Sequence, residues 1–124
     1  MDSLAPNIFV RDINNTIEFY KQLGFTLTMT IPEEGDIVWA MMKNDQVTFM
    51  FQTFDSLGND LPQINRTAGG SLLFYIHVKN IRELHSRLQN KVTLLTQLEK
   101  TFYGATEFSI LDNNNYILTF AQDE

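Results

Sequence analysis

The apolar positions of this chain follow two alternating periods, one typical of helices and one typical of strands. Between residues 13 and 23 they recur every three or four positions, which predicts a helix with one apolar face. An alternating run at 7–11 precedes this helix, and three more follow it with turn residues between them. The first half therefore predicts a strand, a helix and three further strands near 25–31, 36–43 and 46–53.

Residues suited to helix ends flank both predicted helices. Asp12 precedes the first helix and can accept hydrogen bonds from its free backbone amides, and Gly24 stands where a left-handed residue commonly ends a helix. In the second half, Asn80 precedes an apolar stripe at 81–88 and Glu83 follows three residues later, which is a capping-box pattern. We expect Asn80 to cap the second helix.

The order of strand, helix and three strands occurs twice. A segment at 54–70, rich in glycine and without clear periodicity, is followed by a predicted strand at 71–79, the helix, and strands near 92–98, 105–111 and 116–122. Residues 10–13 align with 78–81 at an offset of 68, and 47–51 align with 116–120 at an offset of 69. Near-equal offsets indicate an old duplication, although any two strand-helix-strand units look partly alike.

These repeats predict an α+β fold made of two tandem βαβββ modules. We expect one domain over residues 1–124, with module 1 at about 5–53, a linker at 54–70 and module 2 at about 71–122. The helix of each module would cover one face of a mixed or antiparallel sheet, and strand alternation would leave the other face free. Two such sheets are expected to curl into a cup.

Composition excludes several classes of function. Fifteen acidic and nine basic residues give a net charge of −6, so nucleic acid is a poor partner, whereas a cationic ligand is weakly favoured. There is no cysteine, which removes thiol chemistry and thiolate metal sites. The longest apolar runs, such as those at 37–42 and 72–76, are too short to cross a membrane, and no basic stretch resembling a signal peptide opens the chain. We expect a cytoplasmic protein that does not bind membranes.

Several blocks of the sequence are shared with a known superfamily. They are PNIFVRDI at 6–13 with IEFY at 17–20 and LGF at 23–25, LFYIHV at 73–78 with LHSRL at 84–88, and FYGATEF at 102–108 with DNNNYIL at 112–118. In these blocks the chain resembles the vicinal oxygen chelate superfamily of glyoxalases, bleomycin resistance proteins and dioxygenases. One departure is the Asp-Asn-Asn-Asn turn, where the family usually has Asp-Pro-x-Gly; asparagine tolerates positive φ, so the turn can persist.

The resemblance also implies where a metal would be held in the metal-dependent members. The four ligand positions fall on Ala5 or Asn7, on Met50, on Leu73 and on Thr119. None of these residues supplies the imidazole or carboxylate that a divalent ion usually requires. The chain therefore resembles the metal-free bleomycin-resistance-like members, and we expect no metal, no cofactor and neither glyoxalase nor dioxygenase activity.

Strand alternation places Tyr75 and His77 of the second module on the face away from the helix, and Glu107 lies beside Phe108 on the seventh predicted strand. Tyr75 is interpreted as a residue that orients or stacks on a ligand, or as one that fills space near a dimer interface. His77 is either a hydrogen-bond partner or proton carrier, or a histidine satisfied by its neighbours. Glu107 either neutralises a cation or acts as a base, or anchors the nearby loop.

In the first module the same reasoning places Met50 and Gln52 on the free face. Trp39, with the methionines that follow it, forms either a soft ligand wall or ordinary core. His85 is expected on the polar face of the second helix.

These residues predict a protein that binds a small aromatic or cationic molecule at Tyr75, His77 and Glu107, with Trp39, Met50 and Gln52 as further contacts. We also expect a homodimer, because each module ends in strands whose edges need covering and the chain is small. Two alternatives stay open at this point. One is a metal-independent lyase or isomerase that uses the carboxylate, imidazole and phenol as acid and base. The other is a structural domain whose cup is filled by its own side chains.

Overall fold

Two four-stranded sheets, one in each half of the chain, form the framework of the protein. The computed structural model describes residues 1–124. The chain divides into a first unit, Met1–Ala68, and a second unit, Gly69–Glu124. None of its helices is long and apolar enough to cross a membrane.

The first unit contains four strands and two helices. They are β1 (Asn7–Val10), α1 (Ile13–Gln22), β2 (Thr26–Ile31), β3 (Trp39–Asn44), β4 (Val47–Thr53) and α2 (Phe54–Leu57). The sheet order is β1-β4-β3-β2; β1 pairs with β4 in parallel and the other pairs are antiparallel.

The second unit repeats this order. Its elements are β5 (Leu73–His77), α3 (Ile81–Leu88), β6 (Thr93–Lys100), β7 (Ala105–Leu111) and β8 (Ile117–Asp123). The sheet order is β5-β8-β7-β6, again with one parallel pair, β5 with β8. The predicted α+β fold of two βαβββ repeats with mixed sheets is confirmed.

An aromatic cluster joins α1 to the sheet of the first unit. The ring of Tyr20 is fully buried, and its centroid lies 4.8 Å from that of Phe51, 5.7 Å from that of Phe49 and 5.4 Å from that of Phe25. Because strand residues alternate between faces, burying Phe49 and Phe51 under the helix turns Met50 and Gln52 to the opposite face.

The ends of α1 form as the sequence predicts. Oδ1 of Asp12 accepts a hydrogen bond from the backbone amide of Asn15 at 3.0 Å. Gly24 has a φ of 99° and donates its amide to the carbonyl of Lys21, so a left-handed residue terminates the helix.

The start of α3 differs from the predicted capping box. Asn80 has a φ of 56° and its side chain makes no capping hydrogen bond. Instead, Oε1 of Gln122 on β8 accepts the amide of Ile81 at 2.9 Å. The cap comes from a residue 41 positions away, which local sequence spacing cannot reveal.

His85 also differs from its predicted position on the polar face of α3. Its ring lies edge-on to that of Phe108, with the centroids 5.1 Å apart, and its Nε2 is buried without a hydrogen-bond partner. The buried face of α3 is wider than the stripe of Ile81 and Leu88, because the helix packs over an aromatic strand.

The segment at 54–70 begins with α2, whose four residues are too few to show a helical period. The Thr53 side chain caps it by accepting the amide of Ser56 at 3.2 Å. Further along, Nη2 of Arg66 donates to the carbonyls of Gly58 at 3.3 Å and Asp60 at 2.7 Å, which holds the loop closed.

Candidate functional site

The sheet of the second unit aligns the three predicted site residues on one face. His77 on β5 and Glu107 on β7 both lie opposite Ala121 on β8, the strand between them. Tyr75 lies in the next row, opposite Thr119. Because neighbouring residues in a row point to the same side of a sheet, Tyr75, His77 and Glu107 share the face that α3 does not cover.

Two tyrosines converge on the carboxylate of Glu107. The hydroxyl of Tyr75 donates to its Oε2, and the hydroxyl of Tyr103 donates to the same oxygen at 2.6 Å. The side chain at Ala121 is small, so the phenol of Tyr75 can reach across β8 to the carboxylate. The other carboxylate oxygen, Oε1, accepts no hydrogen bond from the protein, so it is open to a ligand.

The carboxylate raises the pKa of both phenols. The pKa of Tyr75 lies above its usual value of 10.0, chiefly because its hydroxyl donates a hydrogen bond to Glu107. The same hydrogen bond to Glu107 is the main cause of the raised pKa of Tyr103. Both phenols therefore stay protonated at neutral pH and act as hydrogen-bond donors.

The rings around this carboxylate are accessible. Tyr75 is 46% exposed and Tyr103 is 58% exposed. The ring of His77 lies edge-on to that of Tyr75, with a centroid distance of 5.3 Å. An open carboxylate oxygen beside exposed aromatic rings can attract a cation, both by charge and through the faces of the rings.

The neighbouring rows of this face are polar as well. The hydroxyls of Ser109 and Thr119 are 2.8 Å apart and hydrogen-bonded to each other. Glu99 on β6 lies opposite Glu107, so a second carboxylate adds negative charge to the same side of the sheet.

In the first unit, the face opposite α1 carries Trp39, Met50 and Gln52. Trp39 lies opposite Gln52, and Met50 lies opposite Asn7. The amide of Gln52 is engaged on both sides, since Oε1 accepts from Nδ2 of Asn7 at 2.8 Å and Nε2 donates to Ser56 at 3.0 Å. Oδ1 of Asn7 is buried without a partner. The three residues are half-buried. Trp39 and Met50 supply apolar surface, and the hydrogen-bonded amide of Gln52 lies on the same face.

The positions that the resemblance assigns to metal ligands do not suit a divalent ion. Ala5 and Leu73 have no donor atom, Met50 offers a thioether and Asn7 an amide, and the hydroxyl of Thr119 is used within the sheet. Nowhere in residues 1–124 do three or more His, Asp or Glu side chains form a group that could hold a metal ion. The residues at these positions therefore do not fit the metal of the metal-dependent members.

Sequence reasoning assigned no role to Tyr103, although it completes the carboxylate cluster. It lies in the turn between β6 and β7, where the amide of Gly104 donates to the carbonyl of Thr101 at 3.3 Å. Its place four residues before Glu107, at a tight turn marked by glycine, is the only local signal that the two side chains meet.

Comparison with known proteins establishes the family. The model of the Glyoxalase/Bleomycin resistance protein/Dioxygenase superfamily matches residues 2–120, and the chain belongs to this superfamily. No curated protein matches the chain.

Solved structures share the fold over the whole chain. TioX from a Micromonospora species is 16% identical with a TM-score of 0.80, and all of both chains is covered. A protein of unknown function from Agrobacterium tumefaciens is 20% identical with a TM-score of 0.81, covering 100% of this chain and 95% of that one. The bleomycin resistance determinant encoded on the transposon Tn5 is 20% identical with a TM-score of 0.69, covering 100% and 99%. At these identities the likeness shows the fold alone.

Proposed function

We propose that this protein binds a small aromatic or cationic organic molecule, without a metal, on the open face of the second unit's sheet. Tyr75, His77 and Glu107 are the proposed contacts, and Tyr103 joins them. The observation that carries the proposal is the carboxylate of Glu107, which two phenols hold by one oxygen while the other stays open.

The charge and shape of this cluster favour a cation. Hydrogen bonds from two phenols fix the orientation of the carboxylate before any ligand arrives, which lowers the entropy lost on binding. The opposite Glu99 and the net charge of −6 add to the attraction. The rings of Tyr75 and Tyr103 offer accessible surface for an organic ammonium group.

Benzyltrimethylammonium, which combines an aromatic ring with a permanent positive charge, is a suitable probe for calorimetry and thermal shift. We expect it to bind the wild type and to bind Glu107→Gln about tenfold more weakly, because a charge-assisted contact is lost. Glu83→Gln, which removes the same charge from an exposed position on α3, should bind as the wild type does.

A matched change separates the ring from the hydroxyl. Tyr75→Phe keeps an aromatic surface and should weaken binding less than Tyr75→Ala does. Equal binding of the probe to the wild type and Glu107→Gln, with both folded, would place the site elsewhere or leave a structural domain as the better interpretation.

Trp39 and Met50 are proposed separately as apolar contacts on the face of the first unit, with Gln52 as a polar contact beside them. The half-buried indole and thioether support this proposal, as soft groups that adapt to a ligand's shape. Changing Trp39 to Leu should leave charge recognition intact and reduce affinity for larger aromatic compounds; an unchanged ranking of compounds would count against these contacts.

A metal-independent enzyme is the second candidate, supported by the hydrogen bond between Tyr75 and Glu107 beside His77. The carboxylate of Glu107 suits a base. The phenol of Tyr75, which stays protonated because its pKa is raised, suits a hydrogen-bond donor to a developing negative charge. Turnover that disappears in both Tyr75→Phe and Glu107→Gln, while ligand binding persists in one of them, would favour the enzyme over the binding protein.

A further inference from the structure

A pocket lies in the first unit, where β1 and β4 end. Its volume is about 500 Å³, within the range of small-molecule sites. It is lined by Arg11, Phe54, Asp55, Gly58 and Arg66. None of the residues predicted from the sequence to bind a ligand lines this pocket, so it is independent of the proposed function above.

Arg66 is held in place at this pocket by the main chain. Both of its protein hydrogen bonds come from Nη2, to the carbonyls of Gly58 and Asp60. A guanidinium has five N–H donors, and those on Nε and Nη1 donate to no protein atom. The loop thus fixes the guanidinium through one nitrogen and leaves its remaining donors available.

Arg11 supplies a second guanidinium, immediately after β1. Its side chain is exposed and makes no hydrogen bond or ion pair with the protein. The ion pairs of Glu18 with Lys21 and of Arg82 with Glu124 involve neither arginine of the pocket. Two guanidiniums without carboxylate partners, in a protein of net charge −6, form a local site for an anion.

The remaining side chains limit what kind of anion fits. The ring of Phe54 stacks against that of Phe9, with centroids 6.3 Å apart and an interplanar angle of 30°, so it is a flat apolar wall. Asp55 also lines the pocket and its carboxylate has no hydrogen-bond partner. With two positive groups and one negative group, the pocket carries a net charge of +1, which suits a monoanion better than a dianion.

We propose that this pocket binds a small organic monoanion, a carboxylate attached to a flat apolar group. The carboxylate accepts hydrogen bonds from the guanidiniums of Arg11 and Arg66, whose planar donors match its two oxygens. The apolar group packs on the ring of Phe54.

Benzoate is the probe for this site, measured by calorimetry on the full chain. We expect one saturable site for benzoate, and weaker binding of benzyl alcohol, which has no charge, and of benzylammonium, which has the opposite charge. Arg11→Gln should weaken benzoate binding about fivefold, the scale of an exposed charge pair. The matched control Lys91→Gln removes the same charge from an exposed position in the second unit and should have no effect.

Asp55→Asn tests the preference for a single charge. The Asp55 carboxylate has no partner to lose, so the variant should fold as the wild type does. It should bind benzoate more tightly and gain still more for phenyl phosphate, because the repelling charge is removed. Unchanged affinities for both would overturn the proposed selection of monoanions.

Three other results would overturn the site itself. They are no benzoate binding by the wild type, equal loss in Arg11→Gln and Lys91→Gln, and loss of benzoate binding in Glu107→Gln. The last result would mean that the heat of benzoate binding comes from the carboxylate cluster of the second unit. Failure of benzyltrimethylammonium to bind would leave this proposal unaffected, since the two sites share no residue.

Discussion

Tyr75 and Glu107 are hydrogen-bonded although they lie on strands that are not neighbours. β8 runs between them, and the residue it places beside Glu107 is Ala121, which is fully buried. A small residue at this position lets the phenol reach the carboxylate, so the geometry of the cluster depends on a side chain that takes no part in binding.

Replacing Ala121 with Leu should therefore separate the phenol from the carboxylate. We expect a loss of about 1–3 kcal/mol in the free energy of unfolding from overpacking, measured by urea denaturation. Tyrosinate absorbance should show the pKa of Tyr75 falling towards 10.0, its usual value. Ala121→Gly is the control: it also destabilises the strand but should leave the pKa of Tyr75 raised. A raised pKa in both variants would contradict the role of Ala121.

The phenols of Tyr75 and Tyr103 should make stability depend on alkaline pH. Both have a folded-state pKa above 10.0, so their contribution is fully present below pH 10 and is lost as pH rises through the folded-state pKa. In Glu107→Gln this contribution is absent, so the wild type should lose more stability than the variant between neutral and strongly alkaline pH. Parallel stability curves for the two proteins would argue against the hydrogen-bonded cluster.

The cap on α3 can be tested by comparing two variants. Gln122→Ala removes the acceptor for the amide of Ile81 and should lower the free energy of unfolding by about 1 kcal/mol. Glu83→Gln should change it by less than about 0.5 kcal/mol, because the capping box does not form. Chemical denaturation measures both, and the reverse ranking would restore the cap predicted from the sequence.

We predict that neither ligand binding nor folding stability depends on a metal ion. Treatment with EDTA should change neither the unfolding temperature nor the affinity for benzyltrimethylammonium, because the family's ligand positions carry Met50, Leu73 and Thr119. Elemental analysis showing one divalent ion per chain, with binding lost on its removal, would contradict the prediction.

We also predict a homodimer. Each sheet has two edge strands, β1 and β2 in the first unit and β5 and β6 in the second, and such edges are commonly covered in native proteins. Sedimentation at micromolar concentration should give twice the chain mass of 14.4 kDa. A monomer at that concentration would count against the dimer.

The sequence predicts the elements well because their signals are local. The spacing around Tyr20 defines the apolar face of α1, and the alternation of Phe49 and Phe51 with Met50 orients β4; the structure agrees with both. Two side-chain contacts were missed, one between distant residues and one across a turn. Gln122 replaces Asn80 as the cap because of the register of β8, which no local pattern encodes. Tyr103 reaches Glu107 through the shape of a turn, which the four-residue spacing alone does not determine.

Other expectations stay predictions. They are the single domain with a linker at 54–70, the homodimer, the cytoplasmic location and the ligand contacts of Tyr75, His77, Glu107, Trp39, Met50 and Gln52. Family membership is confirmed, but it does not identify a ligand, because one fold carries many functions. Which ligand is bound depends on a few side chains, such as Glu107, and only the structure reveals the surroundings of those side chains.

In each unit, the first strand pairs in parallel with the last. Asn7 lies opposite Met50, and Leu73 lies opposite Ile117, so each pair closes a loop of more than forty residues. During synthesis at roughly 5–20 residues per second, β4 is therefore made several seconds after β1, and β1 has no strand to pair with in that interval. The sheet of each repeat becomes complete only when its final strand leaves the ribosome. A chain that stopped before β8 would contain all the strands of the first sheet, but its β5 would have no strand to pair with.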